Sequence, residues 1–242
     1  MRYRQAMLLS VFLSVAATAH ALQLVTEDDP PHNMLKDGKV VGVATEKIEE
    51  AFRRVKLVPR IELMPWARAY QSALSQRDYC VFSAARTAER ERLFKWIGPI
   101  AAMDWVLYAR ADNAAARPAK LEDLRKETIG GYVQDVISVW LADHRYNVET
   151  ATSDSINPKK LMAGRFDYWA SSRPRATALL AKENLAAHIV PVLTFGHTDL
   201  YLACHPSLDD ELARRLNNAL RRMKEDGTAA RIEARYARWP AE

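Results

Sequence analysis

Arginines beside predicted helix and strand ends are the side chains of this sequence that are best placed to bind a ligand. Arg68 follows Trp66 in the first turn of a predicted helix, where free backbone N–H groups favour an anion. Arg86 and Arg90 follow the predicted strand 79–84, at the edge of an open α/β sheet where ligands bind. Because a guanidinium grips a carboxylate with two parallel hydrogen bonds, this arrangement predicts a site for a carboxylate-bearing ligand. The residues equally allow Arg86 and Arg90 to pair with neighbouring glutamates on an exposed turn.

Covalent catalysis and nucleotide binding find little support. No serine is flanked by glycines as in a nucleophile elbow, and Cys80 lies in an apolar strand that would disfavour a thiolate. Glu27, Asp28 and Asp29 could form a paired-carboxylate site, although three acids before two prolines are more often a solvated turn. The glycines form no phosphate-binding loop. Two distant cysteines and scattered histidines lack metal-ligand spacing, so we expect neither a metal nor a cofactor.

The first 21 residues have the three parts of a signal peptide. Arg2 and Arg4 precede an apolar run over residues 6–19, and Ala19-His20-Ala21 at its end places small residues at positions −3 and −1 of the cleavage site. A membrane-spanning helix needs about 20 apolar residues, and this run is shorter. We therefore predict export to the periplasm with cleavage after Ala21; a cut after Ala19 also fits the small-residue rule. Cleavage removes two of the five excess positive charges, so nucleic acid is not an expected partner.

The rest of the chain alternates between short β-like runs and helical runs, the pattern of an α/β protein. A polar loop over residues 111–119 divides two series of similar size, which predicts two lobes. A strand at 200–204 and two helices, from about 208 and from 228, follow the second series. The first series comprises strands at 22–26, 57–63, 79–84 and 105–109 and helices at 44–55 and 65–75; the second comprises strands at 128–131, 147–151, 166–170 and 187–193 and helices at 135–142, 157–163 and 176–181.

Several short motifs are spaced along almost the whole chain. They are Pro30-Pro31, Asp37-Gly38 before Gly42, PWAR at 65–68, RTAERE at 86–91 with FKWIGP at 94–99, and MKEDGTAARIEARYARW at 223–239. In this order they resemble the bacterial extracellular solute-binding proteins of family 3, the type II periplasmic binding proteins that serve amino-acid ABC transporters. The resemblance implies two α/β lobes that are joined by two crossover strands, with a ligand cleft between them.

The resemblance also implies that the chain leaves lobe 1 and returns to it. Lobe 1 would comprise residues 22–103 and 199–242, and lobe 2 residues 104–198. The chain would cross between the lobes near residues 102–105 and 196–199. The strand at the end of the second crossing then completes the sheet of lobe 1.

A disulfide follows from the same resemblance. The returning strand would lie antiparallel to the strand at 79–84, and a pairing of Ala85 with Asp199 would place Cys80 opposite Cys204. In an oxidising compartment these two cysteines would form a bond. The residues alone also allow two buried free thiols.

Carried over residue by residue, the resemblance implies a ligand site between the lobes. Arg90 would grip a ligand carboxylate, and Trp66 would pack on the ligand. Ser172 replaces an acidic residue that usually holds a ligand ammonium. Burial of an uncompensated ammonium is costly, so Glu27 or Asp28 would have to supply that charge. The other implied contacts are Ser83, Ala85, Tyr132, Gln134, Asp135, Ser171 and Arg173.

The expected ligand is a small carboxylate-bearing solute, an amino acid or a related organic acid, because the cleft would collect Arg68, Arg86, Arg90 and Arg173. The leading hypothesis is a monomeric, non-enzymatic binding protein that closes on its ligand and delivers it to an ABC transporter permease. One alternative is a periplasmic enzyme on the same scaffold, similar to cyclohexadienyl dehydratase, with Glu27 or Asp28 as general acid or base. The other is a stand-alone solute sensor.

Overall fold

A computed structural model describes residues 22–113, 117–237 and 239. Residues 1–21, with the predicted signal peptide and its cleavage site, lie outside the described residues. Within the described part of the chain, no helix is both long enough and apolar enough to span a membrane.

Strands and helices alternate along the described residues, as the sequence pattern predicts for an α/β protein. The strands are β1 (Gln23–Thr26), β2 (Met34–Lys36), β3 (Lys39–Val41), β4 (Arg60–Leu63), β5 (Tyr79–Ala85), β6 (Lys95–Arg110), β7 (Thr128–Tyr132), β8 (Asn147–Ala151), β9 (Tyr168–Ser172) and β10 (Ile189–Cys204). The helices are α1 (Val43–Arg54), α2 (Trp66–Ser75), α3 (Val136–Asp143), α4 (Asn157–Met162), α5 (Arg173–Lys182), α6 (Asp210–Glu225) and α7 (Thr228–Tyr236).

Two strands of 16 residues each, β6 and β10, form the centre of the fold. They pair antiparallel over almost their full lengths. The sequence predicted β6 only over 105–109 and divided β10 into strands at 187–193 and 200–204, because glycine and proline weaken strand interiors. In the structure, shifts in register accommodate these residues, so the pairing continues through them.

The main sheet has eight strands in the order β4-β1-β5-β10-β6-β9-β7-β8. Strands β4, β1 and β5 lie on one side of the β10–β6 pair, and β9, β7 and β8 lie on the other. Neighbouring strands within each side run parallel. The result is two α/β lobes joined by two crossover strands, which confirms the predicted fold class. The exact lobe boundaries, at 103/104 and 198/199, fall inside β6 and β10 and stay a prediction.

Each lobe buries its own hydrophobic core. In lobe 1, Ile48 and Phe52 of α1 pack with Leu216 and Met223 of α6, whose apolar residues form the stripe predicted for an amphipathic helix. The core of lobe 2 is centred on Leu107, Ile129, Ile137 and Leu141. This second core also takes in Ala85 of β5 and Leu200 of β10, so the two cores meet at the crossover strands.

Helix α5 begins at Arg173, three residues before its predicted start at residue 176. The side chain of Ser172 accepts a hydrogen bond from the backbone N–H of Arg175 and caps the helix. Pro174 is tolerated in the first turn because its missing N–H would have no partner within the helix. The early start places Arg175 in the first turn, facing lobe 1.

Cys80 and Cys204 form a disulfide between β5 and β10, as the family resemblance implies. The two residues lie opposite each other in the antiparallel pairing, but Ala85 pairs with Leu200 and not with Asp199. A shift in register along β10 separates the two ends of this pairing. The predicted alignment is therefore right at the disulfide and wrong by one residue near the crossover.

Replacing both cysteines by alanine should lower the free energy of unfolding by about 2–5 kcal/mol, because the bond restricts the unfolded chain across a long loop. Urea denaturation of the exported protein measures this change, with dithiothreitol-treated wild type as the matched control. Thiol titration of denatured, unreduced protein should detect no free thiol; two thiols per chain would contradict the disulfide.

Candidate functional site

The parallel strands of the two lobes point their carboxyl ends at each other. Strand β5 of lobe 1 ends with Ala85 opposite Leu200 of β10. Strand β9 of lobe 2 ends with Ser172 opposite Trp105 of β6, which also pairs with Gly196 of β10. Both strands therefore end near the middle of the crossover pair, and the segments that follow β1, β5, β7 and β9 meet there, where open α/β sheets bind ligands.

The loop after β1 is held by buried polar contacts. Asn33 is fully buried; its Nδ2 donates to the carbonyl oxygen of Glu27, and its Oδ1 accepts from Ser83 Oγ of β5. The first N–H groups of α1 donate to the carbonyl oxygens of Pro31 and His32, so the loop also satisfies the helix terminus. These contacts fix the positions of the acidic side chains at the start of the loop.

Arg175 extends from lobe 2 and forms ion pairs with three carboxylates. Its Nη2 lies 2.8 Å from Glu27 Oε1, and its Nε lies 2.9 Å from Asp29 Oδ1, both in lobe 1. Its Nη1 lies 3.6 Å from Asp135 Oδ1 in lobe 2. The Arg175 side chain is only 11% exposed, so salt and water screen these charges weakly. The guanidinium therefore ties the two lobes together.

The second oxygen of each of these carboxylates has its own partner in the protein. The partners are Tyr132 Oη for Glu27 (2.9 Å), His32 Nδ1 for Asp29 (3.2 Å) and the N–H of Ile137 for Asp135 (3.0 Å). The last of these contacts caps α3. Every carboxylate oxygen of the cluster is thus paired. We call these four side chains, Glu27, Asp29, Asp135 and Arg175, the Arg175 cluster.

One arginine does not balance three carboxylates, and the pKa values of the acids reflect this. Burial raises the pKa of Glu27 to about 7, against the opposing charge of Arg175. Burial also raises the pKa of Asp135. Burial acts on Asp29 in the same sense, but the charge of Arg175 and the hydrogen bond from His32 outweigh it and lower the pKa of Asp29. Asp29 therefore carries the charge that faces Arg175, and Glu27 titrates near neutral pH.

Arg90 reaches the same region from lobe 1, but its charge has no such partner. Its guanidinium carbon lies 5.0 Å from the ring centroid of Tyr70 and 6.0 Å from that of Trp66, so the rings hold it by cation–π contacts. Its two terminal nitrogens make long contacts of 3.5 Å with the carbonyl oxygens of Ala85 and Gln134. Among the described residues, no carboxylate forms an ion pair with Arg90.

A cavity of about 20 Å³ separates Arg90 from the Arg175 cluster, which is room for about one water molecule. Six residues that the sequence predicted for the site line this cavity: Glu27, Trp66, Ser83, Ala85, Arg90 and Asp135. Gln134 lies beside them, and its carbonyl oxygen accepts from Trp66 Nε1 at 3.2 Å. Asp28 is exposed and, with Tyr132, lines a wider groove of about 400 Å³ that adjoins Glu27.

The other predicted arginines lie away from this cavity. Arg86 is exposed and forms a bidentate ion pair with Glu91, the alternative that the sequence left open. Arg68 is exposed on α2. Arg173 is exposed and contacts Asp104 of β6 at 3.6 Å. The structure therefore brings only Arg90, of the four arginines that the sequence placed in the cleft, to the cavity wall.

Ser171 and Ser172 have structural partners within lobe 2. Ser171 Oγ donates to Asp154 at 2.7 Å, and Asp154 also accepts from Trp169 Nε1 and Asn157 Nδ2. Ser172 caps α5. Both serines are almost fully buried, so they support the start of α5 and do not line the cavity.

Sequence reasoning missed Arg175 as a site residue, and it considered Asp29 as part of a paired-carboxylate site with Glu27 and Asp28 or of a solvated turn. It chose Arg173 because this arginine directly follows Ser172 in the stretch that the family resemblance placed at the ligand site. A signal was present: Arg175 lies near a helix start that contains a proline, and Arg68 had drawn attention in the first turn of a helix next to Pro65. Only the observed start of α5 shows which of the two arginines faces lobe 1.

Comparisons with known proteins agree with this fold. A model of the bacterial extracellular solute-binding proteins, family 3, matches residues 22–238. The probable amino-acid-binding protein YxeM of Bacillus subtilis (strain 168) is 19% identical over 211 residues, which cover 85% of this chain and 79% of the relative.

Two solved structures share the fold. A histidine kinase sensor domain with similarity to periplasmic binding proteins superposes with a TM-score of 0.82 at 20% identity and covers 90% of this chain and 96% of its own. The ancestral amino acid-binding protein AncCDT-1, a precursor of cyclohexadienyl dehydratase, superposes with a TM-score of 0.74 at 20% identity. The match covers 89% of this chain and 95% of the ancestral protein. These likenesses show the fold of the type II periplasmic binding proteins.

The raised pKa of Glu27 makes stability depend on pH. Folded Glu27 keeps its proton up to about pH 7, whereas the unfolded group loses it near 4.5, so the folded state binds more protons in that window and stability falls as pH rises through it. Glu27→Gln cannot titrate. The stability of wild type relative to Glu27→Gln should therefore fall by on the order of 3 kcal/mol between pH 4.5 and 7.

Urea denaturation of both proteins at several pH values measures this difference. Glu62→Gln, which changes an exposed glutamate on β4, is the matched control and should run parallel to wild type. A constant difference between wild type and Glu27→Gln from pH 4.5 to 8 would contradict the assignment of a near-neutral pKa to Glu27.

Proposed function

The chain belongs to the bacterial extracellular solute-binding proteins, family 3, and from this premise we propose that it captures a small carboxylate-bearing solute between its lobes. The solute is an amino acid or a related organic acid. The names of the B. subtilis relative and of the ancestral protein, both amino-acid-binding proteins, support this class. The family also supports a periplasmic location, reached by export with residues 1–21 as a cleaved signal peptide.

The proposal rests on the guanidinium of Arg90, which lies at the cavity wall without an ion pair to any described carboxylate. Its hydrogen bonds to the described residues are two long ones with carbonyl oxygens. A partly buried charge without a counter-ion is unfavourable, and a ligand carboxylate would supply two parallel, charge-assisted hydrogen bonds. Trp66 would pack on the ligand, while Ser83 and Ala85 would contribute hydroxyl and backbone groups. Gln134 and its neighbours would close over the ligand from lobe 2.

Ligand entry requires the lobes to separate. The cavity of about 20 Å³ is too small for an organic acid, and contacts of Arg175 with lobe 1 and of Gln134 with Trp66 close it. We propose that β6 and β10 bend near the predicted crossings, residues 102–105 and 196–199. Closure around the ligand would then replace water at Arg90 by the ligand carboxylate.

Replacing Arg90 by alanine should weaken ligand binding about 30-fold or more, because a truncated partner of a charge-assisted pair costs at least about 2 kcal/mol. The ligand is first found by calorimetry of refolded protein against a panel of amino acids and organic acids, and the variant is then titrated with it. Arg92→Ala, which changes an exposed arginine two residues away, should bind like wild type. Unchanged affinity in Arg90→Ala would remove the assigned role.

We propose that the closed monomer delivers its solute to an ABC transporter permease. A strain that lacks the chain should then lose uptake of the solute. Unchanged uptake would favour the sensor alternative, which is supported by the likeness to a histidine kinase sensor domain.

A second candidate is a periplasmic lyase on this scaffold, and Glu27 is the observation that favours it. Its pKa of about 7 suits a general acid or base at neutral pH, and it lines the cavity. Incubation with a large excess of a cyclic carboxylic acid distinguishes the two functions. A binding protein returns the acid unchanged, whereas an enzyme converts more than one equivalent and loses this activity in Glu27→Gln.

A further inference from the structure

The Arg175 cluster brings a resident cation into the proposed ligand site. We propose that Arg175 is a specificity-determining residue that occupies the acidic groups in place of a ligand cation. The site then accepts carboxylate solutes that carry no ammonium or guanidinium group and excludes zwitterionic and cationic amino acids. This inference rests on the proposed function and names its ligand class.

The hydrogen-bond inventory of the cluster is the first argument. Three nitrogens of Arg175 face one oxygen each of Glu27, Asp29 and Asp135. The remaining oxygen of each acid is paired with Tyr132, His32 or a backbone N–H. Every carboxylate oxygen of the cluster therefore already has one partner that the fold provides, and an entering cation would compete with these groups.

On the opposite wall of the cavity, hydrogen-bond donors lack strong acceptors. The hydrogen bonds of the Arg90 guanidinium in the described structure are two long ones, to the carbonyl oxygens of Ala85 and Gln134. One side of the cavity is therefore lined by the N–H donors of Arg90, which lack strong acceptors. The other side is lined by carboxylate oxygens of the Arg175 cluster, which already have partners. A ligand with a carboxylate fits the Arg90 side, and a second positive group would lie beside the buried guanidinium of Arg175, whose charge repels it.

The intramolecular cation has a further consequence for selectivity. Arg175 is covalently part of α5, so its binding to the acids of lobe 1 costs less entropy than that of a free solute. Arg175 is only 11% exposed and Asp29 only 4%, so the pair is shielded from salt. A free ammonium or guanidinium competes poorly with such a resident group, and removing the guanidinium should expose three carboxylates to added cations.

Calorimetry with matched solute pairs tests the inference on wild-type protein. The probes are succinate against L-aspartate, glutarate against L-glutamate and butyrate against L-2-aminobutyrate, together with L-arginine. For every pair that binds, the solute without the ammonium should bind about tenfold more tightly or better, and L-arginine should not bind. Tighter binding of any amino acid than of its deaminated partner, or binding of L-arginine, would overturn the inference.

A second experiment, on the Arg175→Ala variant, does not require the ligand to be known. Ethylguanidinium chloride should raise the melting temperature of this variant saturably, because the cation fills the vacated position; sodium chloride at equal ionic strength is the salt control. Wild type and Arg173→Ala, which changes an exposed arginine of the same helix, should show no such rise. An equal response of all three proteins, or no response of Arg175→Ala, would contradict the role of Arg175.

Loss of Arg175 leaves three buried acids uncompensated, which could prevent folding. The double variant Glu27→Gln/Arg175→Ala removes one of these acids and gives the same ethylguanidinium test. The matched solute pairs test the inference on wild type, whether or not the variants fold.

Failure of the proposed function can be distinguished from failure of the inference about Arg175. If Arg90→Ala binds carboxylates like wild type, the proposed function fails; if Arg90→Ala loses them but wild type prefers amino acids, only the inference about Arg175 fails.

Discussion

A guanidinium from lobe 2 meets three carboxylates, two of which belong to lobe 1, and much of the structure around the cleft serves to place these four groups. Burying one charged side chain among acids is favourable only when the geometry is good and the remaining oxygens are satisfied. Both conditions hold for Arg175, whose partners lie on loops that are themselves hydrogen-bonded. The excess of acid over base is relieved at Glu27, whose pKa rises to about 7.

The fold creates this meeting point through strand direction. Strands β5 and β9 run toward each other along the β10–β6 pair and end near its middle, so the loops that follow them face one another. Each lobe then contributes what its own architecture makes available. Lobe 1 provides the acids of the loop after β1 and the arginine after β5, and lobe 2 provides the first turns of α3 and α5, with caps at Asp135 and Ser172.

Arg90 and Arg175 have opposite roles although they are chemically identical. Arg175 is satisfied by carboxylates and ties the lobes together, while Arg90 is held between aromatic rings with its donors underused. The difference comes from the neighbouring acids, since a guanidinium pairs with whichever anion lies within reach. Counting arginines in the sequence therefore overestimates the positive charge that a ligand meets. Arg86 makes the same point, because Glu91 neutralises it on the surface.

The sequence by itself determined the class of fold, the order of most of its elements and the position of Arg90 after β5, because hydrophobic periodicity, turn residues and motif order are local properties of the chain. It also predicted the disulfide through a family resemblance, and the structure confirmed it. Only the tertiary structure decided which charges pair. Glu27 and Arg175 are 148 positions apart, and their contact depends on where α5 starts and on how two lobes face each other. The predicted helix start at residue 176 left Arg173 and Arg175 outside the helix, so local patterns could not choose between them.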